Sequence, residues 1–441
     1  MGDGPMQYQS NTLEHHWMPF TANKDFKADP RLVVRGEGIH YYNHHGERVI
    51  DGSSGLFCCA AGHGRKEIAD AVAAQLMEID YSPHFQIGSP PSFELATRVA
   101  ALTPEPINHV FFTNSGSESI DTALKIAMAY HRARGEGHRN KYVSRERAYH
   151  GVNVGGTSLS GLMKNRETFG AVMPNVVHMR HTWTPNERFV RGQPENGAEL
   201  ADDLQRFAEL LGGQNIAACF VEPIAGSTGC LVPPKGYLER LREICDAHGI
   251  LLVFDEVITG FGRTGQAFAS QTFGVTPDIM TMAKALTNGV LPMGAVAVKD
   301  SIYETVTDAA PDGAVEFFHG YTYSGNPASC AAGLATLDIY EKEGLFAKCA
   351  DMSEYFLDSI YDLQDLDIIT DIRGYGMLAG VDLAVGSGPG VTGTKAMKAL
   401  YKAGLHVKLT GDCALVSPPF VSEKADIDEI AGIMRDVLSK M

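Results

Sequence analysis

Two hydrophobic periods alternate along this chain from about residue 60 to residue 330. In RKEIADAVAAQLMEI (65–79) the apolar positions recur at three- and four-residue intervals, the spacing of a helix with one buried face. HVFFTN (109–114), IAACFVEPI (216–224), ILLVFDEV (250–257), DIMTMA (278–283) and GAVAV (294–298) are instead short, nearly continuous apolar runs, which predict buried strands. KYVSRERAY (141–149) reads as one more strand. SGSESIDTALKIAMAYHRA predicts a long helix directly after the first of these strands, and PPKGYLERLREICDAHG a helix stopped by Gly249. Strands alternating with helices of this length imply βαβ units in a mostly parallel, helix-covered sheet. Such sheets bind ligands beyond the carboxyl ends of their strands, and Asn114, Glu222, Asp255 and Lys284 all fall at or just past such an end.

After residue 330 the texture changes. SCAAGLATLDIYEKEG predicts a helix, followed by strand-like IITDIRGYGMLAGVDL and GLHVKLTGDCALVSPPF and a closing helix. Near the amino end, GIHYYNHHGERVIDG predicts a hairpin. The pattern divides into an N-terminal segment (1–60) packing with the small domain, a large domain (61–328) and a small C-terminal α/β domain (329–441).

Composition narrows the classes. The chain has 441 residues, enough for two cores, and its 44% hydrophobic and 20% charged content is ordinary for a globular protein. A formal net charge of −16 disfavours nucleic acid and anionic membranes as partners. No apolar run approaches the roughly 18 residues of a membrane span, and the first twenty residues show no leader pattern. The eight cysteines lack CxxC spacing and the sixteen histidines form no HExxH, so we expect reduced thiols in a cytoplasmic protein and no metal.

Chemistry collects at the strand ends. Lys284 follows an apolar run, which fits either a surface lysine or an amine that bonds covalently to a carbonyl. TNSGSES (113–119) joins a strand to a helix: a serine N-cap, or a phosphate cradle in which Gly116 lets a ligand approach the backbone between Ser115 and Ser117. In VFDEV, Asp255 and Glu256 point to opposite sides of a strand, so only one can address a given site. Tyr149 offers an aromatic face and His150 a partner for a carboxylate. A phosphate cradle, a stacking ring, a carboxylate and an amine are together what pyridoxal 5′-phosphate (PLP) requires.

Over nearly its whole length the chain resembles the class III (omega) aminotransferases, PLP enzymes of fold type I. The carrying stretches are HHWMPFT (15–21), TNSGSES (113–119), YHG (149–151), EPI (222–224), LLVFDEVITGFGRTG (251–265), PDIMTMAKALTNGVLPMGAV (277–296), HGYTYSGNP (319–327) and RGYGM (373–377). It looks most like the amine and β-alanine:pyruvate transaminases. The resemblance implies a large, mostly parallel sheet domain covered by helices plus a smaller α/β domain. It implies that Lys284 holds PLP covalently, that Asp255 pairs with the ring nitrogen with His150 behind it, and that Tyr149 and Val257 cover the two ring faces. Ser115, Gly116 and Ser117 would bind the phosphate, with Thr322 reaching the phosphate of the neighbouring subunit in a homodimer or dimer of dimers. Glu222 would gate the substrate pocket beside the cofactor, and Phe57, Phe85, Tyr149 and Ala225 would line that pocket.

The implied partners are a small-molecule amine donor and a keto-acid acceptor, with no nucleic acid and no membrane. Lys408 stands where pyruvate-dependent relatives carry an arginine for the acceptor's carboxylate; Arg166 and Arg373 are alternative cations, the latter read as structural. Taurine or 2-oxoglutarate as substrate, and decarboxylase or aminomutase chemistry, remain open alternatives on the same fold. A PLP-binding regulator would need an appended DNA-binding domain, and a nicotinamide enzyme a glycine-rich fingerprint that is absent.

Overall fold

The computed structural model describes residues 13–170 and 173–441; the extreme amino terminus, read above for a leader, lies outside them. Three sheets organise the described residues. In the first, β1 (Val33–Glu37), β2 (His40–Asn43) and β3 (Arg48–Asp51) run antiparallel as the predicted hairpin and one more strand.

The central sheet has seven strands: β4 (Ile107–Thr113), β5 (Lys141–Arg145), β6 (Val176–Met179), β7 (Ile216–Val221), β8 (Leu251–Asp255), β9 (Ile279–Met282) and β10 (Gly294–Lys299). Their order is β4-β10-β9-β8-β7-β5-β6. From β9 to β6 every pairing is parallel, whereas β10 runs antiparallel to both β9 and β4. All residues of β7 and β8 are buried, which explains their continuous apolar sequence: helices cover both faces. The strand read at 141–149 ends at Arg145, because Arg147 adopts a left-handed φ of 57° that no strand accommodates.

Beyond the long helix Pro327–Lys342, β11 (Ile369–Tyr375), β12 (Leu378–Leu383), β14 (Lys408–Thr410) and β15 (Cys413–Val416) form an antiparallel sheet, while β13 (Leu405–His406) pairs parallel with β3. That pairing ties the amino-terminal hairpin to the carboxyl-terminal part of the chain. Helices Pro90–Ala100, Leu345–Tyr361 and Val391–Lys402 were not read from the sequence; the first begins with two prolines, which suit a helix's first turn and obscure its apolar period.

Register positions the chemistry. Val221 pairs with Phe254 and Asp255 with Thr281, so Glu222, Asp255 and Thr281 sit side by side at the carboxyl edge of three adjacent strands.

Candidate active site

At that edge lies a cavity of about 130 Å³ whose wall includes Gly116, Ser117, Tyr149, Glu222, Asp255 and Lys284. Lys284 enters it because β9 stops at Met282 and the backbone then turns sharply, Lys284 itself taking a φ of 49°. A non-glycine residue in that region costs of order 1–3 kcal/mol and persists only where its surroundings fix it. They do: the Tyr340 hydroxyl donates to the Ala285 carbonyl at 2.6 Å, and the Asn288 side chain bonds the backbone of Ala61 and Gly62 at 2.9 and 2.8 Å.

Asp255, the last residue of β8, is buried and hydrogen-bonded through both carboxylate oxygens. His150 Nδ1 lies 2.8 Å from one carboxylate oxygen, while the Val257 amide and the Thr281 hydroxyl donate to the other at 3.1 and 3.2 Å. Its neighbour Glu256 faces away, taking the Ala269 and Ser270 amides at 2.9 and 2.7 Å as the cap of a short helix. Strand alternation thus gives the two carboxylates separate tasks.

The amino end of the helix Gly116–Ala133 closes another wall. A Cβ on Gly116 would stand 3.0 Å from the Val257 side chain, so glycine lets that turn and Val257 share the cavity without pressing on each other. Ser117 accepts the Val152 amide at 3.0 Å and lines the cavity. Ser115 does not: its hydroxyl caps the helix by accepting the Glu118 amide at 3.2 Å, the ordinary N-cap role.

The Glu222 carboxyl receives the Tyr149 amide at 2.9 Å deep in the cavity wall. Burial, aided by the Asp255 charge, raises its pKa from 4.5 to about 7, against the pull of His150 and Arg145. The folded chain therefore holds this proton more tightly than the unfolded one. The resulting stability is complete below pH 4.5 and is lost as pH rises toward 7. Glu222→Gln keeps an acceptor for the Tyr149 amide and cannot ionise. Its stability should stay close to the parent's at pH 5 and exceed it at pH 8 by on the order of 3 kcal/mol, at about 1.4 kcal/mol per unit, with a correspondingly higher melting temperature. Thermal melts at the two pH values check this; a larger gain at pH 5 than at pH 8 reverses the sign and sinks the assignment.

Other expected site residues lie elsewhere. Phe57 is buried with a φ of 64°, and Lys284 Nζ stands 5.9 Å from its ring centroid, beside the cavity. Ala225 is enclosed by its bridge to Leu231 and is not part of the cavity wall. Phe85 is 55% exposed and packs on Gly320. Thr322 is exposed too, its carbonyl accepting the Tyr81 hydroxyl at 2.9 Å. Phe85 and Thr322 therefore belong to one surface of their own chain and not to its Lys284 cavity, because the 81–88 segment folds onto the 319–323 loop.

Lys408 is half-buried outside the cavity wall, and burial lowers its pKa. Arg166 bonds the Ser158 and Ser160 carbonyls, and Arg373 is ion-paired to Asp371 and Asp382; both serve structure. Sequence reading missed Gly151 and Ile258 in the wall and Thr281 beneath Asp255. Only Thr281 had a signal, as the lone polar residue in an apolar strand.

A family model described as aminotransferase class-III matches residues 21–438. The chain is a class-III aminotransferase. It is 49% identical over 438 residues to an omega-aminotransferase of Caulobacter vibrioides, covering 98% of this chain and 99% of that protein. It is 48% identical over 432 residues to an omega-amino acid–pyruvate aminotransferase of Pseudomonas putida, covering 97% and 96%. Among solved structures, the omega transaminase of Pseudomonas jessenii in complex with PMP superposes with a TM-score of 0.92 at 31% identity, covering 98% and 97%.

Class-III aminotransferases use PLP, and this aminotransferase has the chemistry to hold it. A helix amino terminus with a glycine for close approach suits the phosphate. The buried Asp255 suits a protonated ring nitrogen, and an amine stands in the same cavity.

Proposed function

We propose that this aminotransferase moves an amino group from an amine or a β-alanine-like ω-amino acid to a keto acid, pyruvate foremost, in a ping-pong cycle. The observation that carries the reading is that the Lys284 amine and the Asp255–His150 pair share one cavity. The identity of nearly half with an omega-amino acid–pyruvate aminotransferase over the full length supports the substrate class.

Bound PLP supplies the electron sink and carries the amino group between half-reactions. Lys284 Nζ is the amine that would hold the cofactor covalently and, when free, would take and return the proton of the substrate carbon. Asp255 presents its charge to the ring nitrogen, and His150 with Thr281 orients that carboxylate. Gly116 and Ser117 offer the helix amino end to the phosphate, with Ser115 shaping the turn as its cap. Tyr149 and Val257 flank the ring, and Glu222 fixes the Tyr149 backbone.

Thr322 and Phe85 share an exposed face, and we read both as contributions to a partner's site in a homodimer or dimer of dimers. We read residues 1–60, 61–328 and 329–441 as the three parts expected above, the β3–β13 pairing supporting the first with the last. Eight unbridged thiols support a cytoplasmic setting. Among the described residues no helix is long and apolar enough to cross a membrane.

Lys408 is our candidate for the acceptor's carboxylate. It pairs in register with Leu415, and directly opposed residues share a sheet face; Leu415 packs in the cluster containing Phe57, next to Lys284. Its ammonium has no acid partner among the described residues. Lys408→Ala should raise KM for a keto acid roughly ten- to hundredfold, the worth of a charge-assisted bond, with little change for an uncharged amine donor. Equal effects on both Michaelis constants would remove Lys408 from this role.

A single-turnover panel tests the function. β-Alanine, taurine, 1-phenylethylamine and 4-aminobutyrate are mixed with holoenzyme and amino transfer followed, then the reverse with pyruvate and 2-oxoglutarate. Fast transfer from β-alanine and to pyruvate is expected; release of carbon dioxide instead, or no transfer to pyruvate, refutes the proposal.

A further inference from the structure

Away from the Lys284 cavity, a second cavity of about 290 Å³ opens between the end of β5 and the carboxyl-terminal sheet. Arg147, Arg188, Trp183 and Thr228 line it, and so do the carboxylates of Asp371, Asp382 and Asp412. Both guanidiniums stand over the Trp183 ring, 5.9 and 5.8 Å from its centroid. The Arg147 guanidinium donates to the Thr228 carbonyl at 2.9 Å, and neither arginine has a carboxylate ion-pair partner among the described residues. Burial first, and then the neighbouring Arg373 guanidinium, lower the Arg147 pKa, against the opposing pull of Asp382 and Asp371.

The acids around the cavity are already engaged. Asp371 takes Trp183 Nε1 at 2.7 Å and the Phe189 amide at 2.6 Å as well as Arg373. Asp382 is bidentate with Arg373 at 2.7 and 2.9 Å. Asp412 accepts the Gly390 and Gly393 amides at 2.7 and 2.8 Å. The Thr228 hydroxyl, on a residue only 5% exposed, is buried with no partner. Arg147, at φ 57°, and the turn through Cys230, at φ 53°, hold strained backbone conformations on this side, and such strain concentrates where a group must be aimed.

We propose that this cavity is a second anion site, distinct from the Lys284 cavity, and that it binds a small carboxylate through Arg147 and Arg188. A guanidinium fork matches a carboxylate's two oxygens. Arg147 is two residues from Tyr149, so an occupant also bears on the loop behind the cofactor site.

The chain's two tryptophans make the test direct. Trp17 is 88% exposed and can be replaced, leaving Trp183 as the sole reporter in Trp17→Phe holoenzyme. Propionate, which carries neither amine nor carbonyl to react, is titrated and tryptophan emission followed. A saturable change is expected that chloride at equal ionic strength does not produce. It should survive Lys408→Ala, vanish in Arg147→Met, and shift its midpoint upward by roughly tenfold in Arg188→Met, where one charge-assisted bond is lost. Arg188 is exposed, so its replacement leaves the core intact even if Arg147→Met fails to fold. An absent response, an equal response to chloride, loss in Lys408→Ala, or an unmoved midpoint in Arg188→Met each overturns the proposal.

Discussion

Lys284→Ala abolishes multiple-turnover transamination while the protein still folds: this is the largest effect expected. Two losses coincide. The covalent attachment of the cofactor disappears, and so does the group that carries the substrate proton, a role worth about 10²–10⁴ in rate by itself. The fold should tolerate the change, because alanine at φ 49° bears the same backbone strain as lysine and the clamps from Tyr340 and Asn288 hold neighbouring backbone, not the side chain. Steady-state rates with β-alanine and pyruvate, alongside a thermal melt, check both halves. Borohydride treatment of the parent holoenzyme should fix the cofactor on the peptide containing residue 284 and on no peptide of the variant. A variant rate within tenfold of the parent's would remove Lys284 from the chemistry.

Asp255→Asn is the second. Asparagine fills the same space, can accept from the Val257 amide and the Thr281 hydroxyl, and can offer its own amide to His150 Nδ1. What goes is the charge facing the ring nitrogen. Loss of one preorganised electrostatic partner in a buried site costs about 10²–10³ in kcat, and KM for the amine donor should move far less. Progress curves across donor concentrations separate the two constants. A rise in KM with kcat intact would mean that Asp255 only helps to bind.

Much of this site was legible before any coordinates, for a local reason. Lys284, Asp255 and Glu222 each end an apolar strand, and the carboxyl edge of a parallel sheet gathers such ends whatever the loops do. The separation of Asp255 from Glu256 followed from alternation alone. Where a residue's task depended on a hydroxyl's direction, sequence reading blurred: Ser115 and Ser117 are equivalent in TNSGSES, yet one caps the helix and the other lines the cavity. Phe85 was assigned to the pocket with no means of knowing that its segment folds onto the 319–323 loop.

The sequence by itself determined the fold class and the four chemistries a cofactor such as PLP demands, because periodicity and strand-end position are local properties of the chain. Only the tertiary structure decided that Glu222 is clamped by a backbone amide, that Lys408 shares a sheet face with the Phe57 cluster, and that Arg147, Arg188 and Trp183 meet around one cavity. Those facts rest on register and on contacts between residues far apart in the chain. Hydrophobic pattern constrains which face of an element is buried, but not which distant side chain it is buried against.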